Sequence, residues 1–167
     1  MPHRDPAAPP RLRGNTVRGH GSWEDDRPPV CGVVGRESGQ VRLTVAEHAD
    51  GPTLKKVVRR ASWPMARVNT DEWQAYNGLP GMGRLRSMVC HAVREWARDD
   101  DGDGIREVHD NTLEGLWTGL RNFLRPFRGV NKEYLYQYTA IFEWGYNGKR
   151  VTREFLDAIL GIRAPTI

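Results

Sequence analysis

Asp71 and the run His109-Asp110-Asn111-Thr112-Leu113-Glu114 carry the residue types from which a metal-dependent site on a phosphodiester can be built. Asp71 closes an apolar, strand-like stretch, Ala66 to Thr70. Asn111 and Glu114 stand one helical turn apart at the head of a periodic segment, so both fall on one face. A carboxylate at a strand end, facing oxygen ligands at a helix start, can hold divalent ions that activate the attacking oxygen and stabilise the leaving one. Each part alone is weak. Strand ends often carry acids, and a Glu in a first helical turn is favoured by the helix dipole. His91 and His109 could reach a metal or a phosphate, although a hydrogen-bonded structural histidine is the commoner role.

The polar face that begins at Asn111 and Glu114 continues through Thr118, Arg121, Arg125 and Arg128. If the helix runs unbroken, Glu114 to Arg128 spans roughly 21 Å, several phosphates along a DNA strand. Such cations hold a backbone without reading bases; the alternative is an ordinary solvated face. The late aromatics Tyr134, Tyr136, Tyr138, Phe142, Trp144 and Tyr146 could stack bases, but packing is the more frequent use. A second metal reading concerns Asp99, Asp101, Asp103, Gly104 and Asp110, which match positions one, three, five, six and twelve of a calcium loop. Against it, the last ligand is Asp instead of the bidentate Glu, and Ile105 falls one place early.

The elements that must position these residues follow from periodicity. Val30 to Gly35 and Gln40 to Glu47 read as two strands joined by Arg36-Glu37-Ser38-Gly39. Asp50-Gly51-Pro52-Thr53 opens a helix with Leu54, Val57, Val58 and Ala61 on one face. Ala66 to Thr70 is the next strand, Trp73 to Tyr76 a short helical turn, and Ser87 to Ala92 a weaker strand. Leu113, Leu116, Trp117, Leu120, Leu124 and Phe127 form one apolar helical stripe. Asn131 caps a helix from Lys132 to about Tyr146, and a last helix runs from Thr152 to Leu160. Strands first and helices last predict a mixed α/β domain.

A chain of 167 residues holds one modest core. The net charge of +4 is unevenly placed: Arg94 to Glu114 contain eight acidic and three basic side chains, whereas Trp117 to Arg153 contain seven basic and two acidic ones. An acidic centre beside a basic surface suits a metal site next to a polyanion. Cys31 and Cys90, distant and in apolar runs, point to a reducing compartment and to buried, inert thiols. No apolar stretch reaches membrane-spanning length and no signal peptide is visible, which predicts a cytoplasmic protein without a membrane partner.

In order and wording the chain resembles DDE-type insertion-sequence transposases of the ISXO-two group. The resemblance rests on Arg18-Gly19-His20-Gly21-Ser22-Trp23, Asp26 to Val30, Val34 to Gly39, Asn69 to Trp73, Tyr76, His91, His109 to Trp117, Phe127 to Val130, and Tyr138 through Phe142-Glu143-Trp144 to Asn147. It implies a ribonuclease-H-like fold with a helical C-terminal part, and DNA strand cleavage and transfer using Mg²⁺ or Mn²⁺. It also implies DNA partners at transposon ends and target, and a prokaryotic, nucleoid-associated location. Asp71 matches the second catalytic Asp and Asn111 the third position, with Glu114 assisting as a metal ligand. Arg121, Arg125, Arg128 and His109 are the expected DNA contacts. The strand that carries the first catalytic Asp in such proteins has no counterpart here. Asp5, Asp25 and Asp26 lie in arm-like sequence. The expectation is therefore a poorly ordered arm over 1–29, a partial catalytic domain lacking its central strand over 30–161, and a tail over 162–167. Such a chain is a truncated, catalytically inactive remnant that can bind DNA, self-associate or assemble with an intact transposase. The alternative is a non-catalytic DNA-binding or regulatory remnant.

Overall fold

The computed structural model describes residues 21–148, a mixed α/β arrangement of four short strands and three α-helices. The strands β1 (Val30–Val34) and β2 (Val41–Val45) pair antiparallel in the register Val30 with Val45 and Val34 with Val41. Between them Gly39 takes φ +62, a left-handed turn that suits glycine, and its N–H returns to the Gly35 carbonyl. Helix α1 (Gly51–Ala61) starts where Asp50 accepts the Thr53 N–H at 2.9 Å, with Pro52 in the first turn. Of the face predicted by spacing, Leu54, Val57 and Val58 are buried and Ala61 is half-buried.

Strand β3 (Arg67–Thr70) pairs in parallel with β4 (Leu85–Met88). The second strand lies two residues earlier than the hydrophobic pattern suggested. Residues His91–Val93 instead form a 3-10 turn, ended by Arg94 at φ +63. Among the described residues the two strand pairs are separate sheets. The outer edges of β1 and β3 therefore lack a strand partner, and a single ribonuclease-H-like sheet is not formed by these residues. The pairs are tied through one carbonyl: Glu107 O accepts from Asn69 Nδ2 at 3.0 Å and from the Arg36 guanidinium.

Helix α2 (Asn111–Leu124) buries Leu116 and Leu120, and Trp117 packs against Gly32, leaving no room for a side chain there. The periodicity suggested a longer helix. The α geometry stops at Leu124 because Pro126 has no N–H to continue the ladder, and a 3-10 turn, Arg125–Phe127, follows. Asn131 caps α3 (Lys132–Asn147) by accepting the Glu133 N–H. Phe123, Phe127, Tyr138, Phe142 and Tyr146 form a chain of ring contacts between the helices, so half of the late aromatics serve packing. Helix α3 also closes the outer edge of β2. Asn147 accepts the Val41 N–H at 2.8 Å and donates to the Val41 carbonyl at 2.9 Å, while Glu143 accepts the Leu43 N–H at 2.6 Å. Side chains here take the place of a fifth strand.

Residues 21–29 are held down more firmly than their composition implied. Trp23 donates to the Glu47 carbonyl, Pro29 accepts the Ala46 N–H, and Lys132 lies 5.2 Å from the Trp23 ring while donating to its carbonyl. Residues 1–20, the helix expected over 152–160 and the tail lie outside the described residues.

Candidate metal and nucleic-acid site

The end of β3 and the start of α2 are linked by His91. After Asp71, Glu72 turns back and accepts the N–H groups of His91 at 3.0 Å and Ala92 at 3.2 Å. Its own backbone N–H, then these two bonds, hold the Glu72 carboxyl below the usual range. The loop thus fixed presents His91 Nε2 to Asp110 Oδ2 at 3.1 Å. This hydrogen bond is the main reason the His91 pKa is raised; partial burial opposes it, and the charges of Asp110, Glu72 and Glu114 add to it.

Asp110 occupies the N-cap position of α2, but its side chain caps nothing. Its carbonyl takes the Leu113 and Glu114 N–H groups, and its carboxylate faces His91. The other oxygen, Oδ1, is buried with no partner, as is His91 Nδ1. Donor atoms of His91, Asp110 and Glu114 all lie within 4.8 Å of one another. A nitrogen and two carboxylates at that spacing, with one carboxylate oxygen left without a hydrogen bond, fit a divalent cation. An orphaned buried oxygen otherwise leaves desolvation uncompensated.

Asp71 is not in that group. Its Oδ1 accepts the Trp73 N–H at 3.0 Å, the usual local bond of an Asp in a turn, and this draws the side chain back onto its own chain. Burial, then the Asp71 charge, pushes the phenol of neighbouring Tyr76 up to about 12, and the Asp110 charge adds to it. Asn111 is the first residue of α2 and is exposed, as is Glu114. His109 is half-buried, with Nε2 2.9 Å from the Arg36 guanidinium. Since arginine can only donate, that nitrogen is the acceptor. Burial, then Arg36, lowers the His109 pKa, so it is a neutral ring held by an arginine.

The arginine stripe is divided by the end of the helix. Arg121 is on α2, donating to Thr118 Oγ1 at 3.1 Å, and Thr118 in turn donates to the Glu114 carbonyl. Arg125 begins the 3-10 turn and Arg128 follows it with φ +51, so the three do not share one α-helical face. All three are exposed. The ion pairs of the acidic loop go elsewhere, Asp100 to Arg98 at 2.6 Å and Glu107 to Arg67 at 3.8 Å. That loop gathers Asp99, Asp101 and Glu107, whereas Asp110, the twelfth position of the calcium pattern, faces His91. Asp99 is occupied by the N–H groups of Gly102 and Gly104 at 2.6 and 2.9 Å.

Sequence reading located His91 and Asp110 separately but not as a pair, and missed Glu72 and Arg36 as the residues that orient the two histidines. Asp110 stands at the N-cap of α2, and only the fold shows that its side chain faces His91 instead of the helix.

A strand-end acid, a helix start and a mixed histidine–carboxylate group in an α/β frame are parts from which a DNA-processing domain is made. A model of the ISXO2-like transposase domain matches residues 7–147, and the chain belongs to that family. It is also similar to a Halobacterium salinarum protein described as an uncharacterized protein in transposable element ISH50. The two are 29% identical over 141 residues, 84% of this chain and 46% of that protein. The chain thus spans about half the length of this relative.

Proposed function

We propose that this chain is a transposase-type domain that holds DNA and presents a divalent-metal site to a phosphodiester. DNA strand cleavage and transfer is the reaction class, with Mg²⁺ or Mn²⁺ as cofactor. The observation that carries the reading is the His91–Asp110–Glu114 group beside the turn that contains Asp71, in a chain that belongs to the transposase family. His91, Asp110 and Glu114 would hold the ion, which would supply Lewis acidity at a phosphate oxygen. The nitrogen ligand favours Mn²⁺ over Mg²⁺. Asp71 and Asn111 are assigned to the same mouth, Asp71 becoming a ligand once its bond to Trp73 is given up. Glu72 and the Arg36–His109 pair are positioning residues. Arg121 and Arg125 hold the DNA backbone.

The same observations favour a chain that binds DNA without completing transfer by itself. The group contains two carboxylates, and among the described residues β1 and β3 each have an edge without a strand partner and no acid-bearing strand joins the two sheets. Two-metal catalysis needs carboxylates on both sides of the ions. Assembly with an intact transposase, or self-association, would complete the site. The test is an assay for nicking and strand transfer with Mn²⁺, beside a salt-dependent DNA-binding measurement. Binding that weakens as salt rises, without transfer, is expected. Robust transfer by the purified chain overturns the inactive reading, and absence of DNA binding overturns the proposal altogether.

A further inference from the structure

A groove of about 500 Å³ lies between the β1–β2 hairpin and the C-terminal end of α1. Its charged lining residues are Arg42, Arg59, Arg60 and Arg84, and no carboxylate lines it. Arg84 is 7% exposed and donates only to neutral oxygens: Ser62 Oγ at 3.0 Å, the Ser62 carbonyl at 2.8 Å, the Met82 carbonyl at 3.1 Å and the Arg59 carbonyl at 3.5 Å. Arg42 is paired with Glu143 at 2.9 Å. Arg59 and Arg60, in the last turn of α1, are exposed and form no ion pair with a described carboxylate. On the same lip stands Trp63, 82% exposed. A folded domain gains little from an indole held in water, but a flat exposed ring beside two cations without an ion pair, Arg59 and Arg60, is what a nucleic-acid strand uses: phosphates on the guanidinium groups, a base on the ring.

We infer that this groove binds single-stranded DNA, with Trp63 stacking on an unpaired base and Arg59 and Arg60 holding the flanking phosphates. Arg84 fixes the positive floor between them. The inference rests on DNA being the ligand of the proposed function and adds where an unpaired stretch lies. The start of α1 packs on the turn after Asp71, Gly51 approaching Ala75. The 11-residue helix therefore places the groove about 16 Å from that turn. That is about five phosphates along one strand of a duplex.

The test is fluorescence anisotropy of the full chain with labelled oligo-dT and with duplex DNA of the same length. The variants are Trp63→Ala, Trp63→Phe, Arg59→Glu with Arg60→Glu, and Arg121→Glu with Arg125→Glu. All sites are exposed, and circular dichroism checks that each variant is folded. Trp63→Ala is expected to weaken oligo-dT binding about tenfold, to leave duplex binding within about twofold, and to be largely rescued by Trp63→Phe. The Arg59/Arg60 variant is expected to weaken oligo-dT binding and flatten its salt dependence. If oligo-dT binding is unchanged in both groove variants and falls only in the Arg121/Arg125 variant, the groove assignment is wrong while DNA binding stands. Equal loss on duplex and oligo-dT in Trp63→Ala also overturns the stacking role. No binding to either DNA by the unaltered chain removes both this inference and the function it rests on.

Discussion

His91 Nε2 and Asp110 Oδ2 stand 3.1 Å apart, and this one contact connects the loop after β3 to the first turn of α2. It uses the side chain that would otherwise cap the helix, so the helix start is open and one carboxylate oxygen is free of hydrogen bonds. A local propensity has been overridden by tertiary structure where chemistry is expected.

The pair makes stability depend on pH in a defined direction. The folded-state pKa of His91 is raised above its ordinary value of 6.5, chiefly by Asp110. Its stabilising contribution is therefore complete below the unfolded value and is lost as pH rises through the raised one. Thermal unfolding of the native chain and of His91→Gln should show the largest difference in Tm on the acidic side. The difference should narrow as pH rises past the folded pKa. A gap that widens with pH contradicts the assignment.

The edge closure by α3 predicts a stability defect. Asn147→Leu leaves the Val41 N–H without its partner and its carbonyl with only the long bond from Arg42 Nη1 at 3.4 Å, and should cost about 2 kcal/mol with a fall in Tm. Exposing a strand edge should also promote self-association, visible as a concentration-dependent sedimentation coefficient. The motif Phe142-Glu143-Trp144 to Asn147 thereby gains a structural role: Glu143 and Asn147 protect β2.

Arg121 and Arg125 lie outside the ion pairs of the acidic loop. Charge reversal at both should weaken duplex binding alike for all sequences and reduce the salt slope by about one per lost phosphate contact. Arg128, which follows the 3-10 turn with φ +51 and does not continue the helical face, should contribute less. A change in sequence preference would mean that bases, and not phosphates, are contacted.

Much of this was legible in the sequence because it is periodic or locally capped. The hairpin, the buried face of α1, the Asn131 cap and the stripe of Leu116 and Leu120 all follow from spacing and turn chemistry. The end of α2 was misjudged because an apolar stripe continues to Phe127, although Pro126 cannot continue the hydrogen-bond ladder. The site was half legible. Residue types marked Asp71, Asn111 and Glu114, but Asp71 turns onto the Trp73 amide. Pairing His91 with Asp110 requires knowing how Glu72 folds the intervening loop, a contact between residues 19 positions apart.

The central claim is that a divalent ion is held by His91, Asp110 and Glu114. Calorimetric titration of the chain with Mn²⁺ tests it most directly, with Asp110→Asn and Asp99→Asn titrated alongside. One saturable site is predicted, lost in Asp110→Asn and retained in Asp99→Asn. No Mn²⁺ binding, or a site that survives Asp110→Asn and disappears in Asp99→Asn, would contradict the account and place the ion in the acidic loop instead.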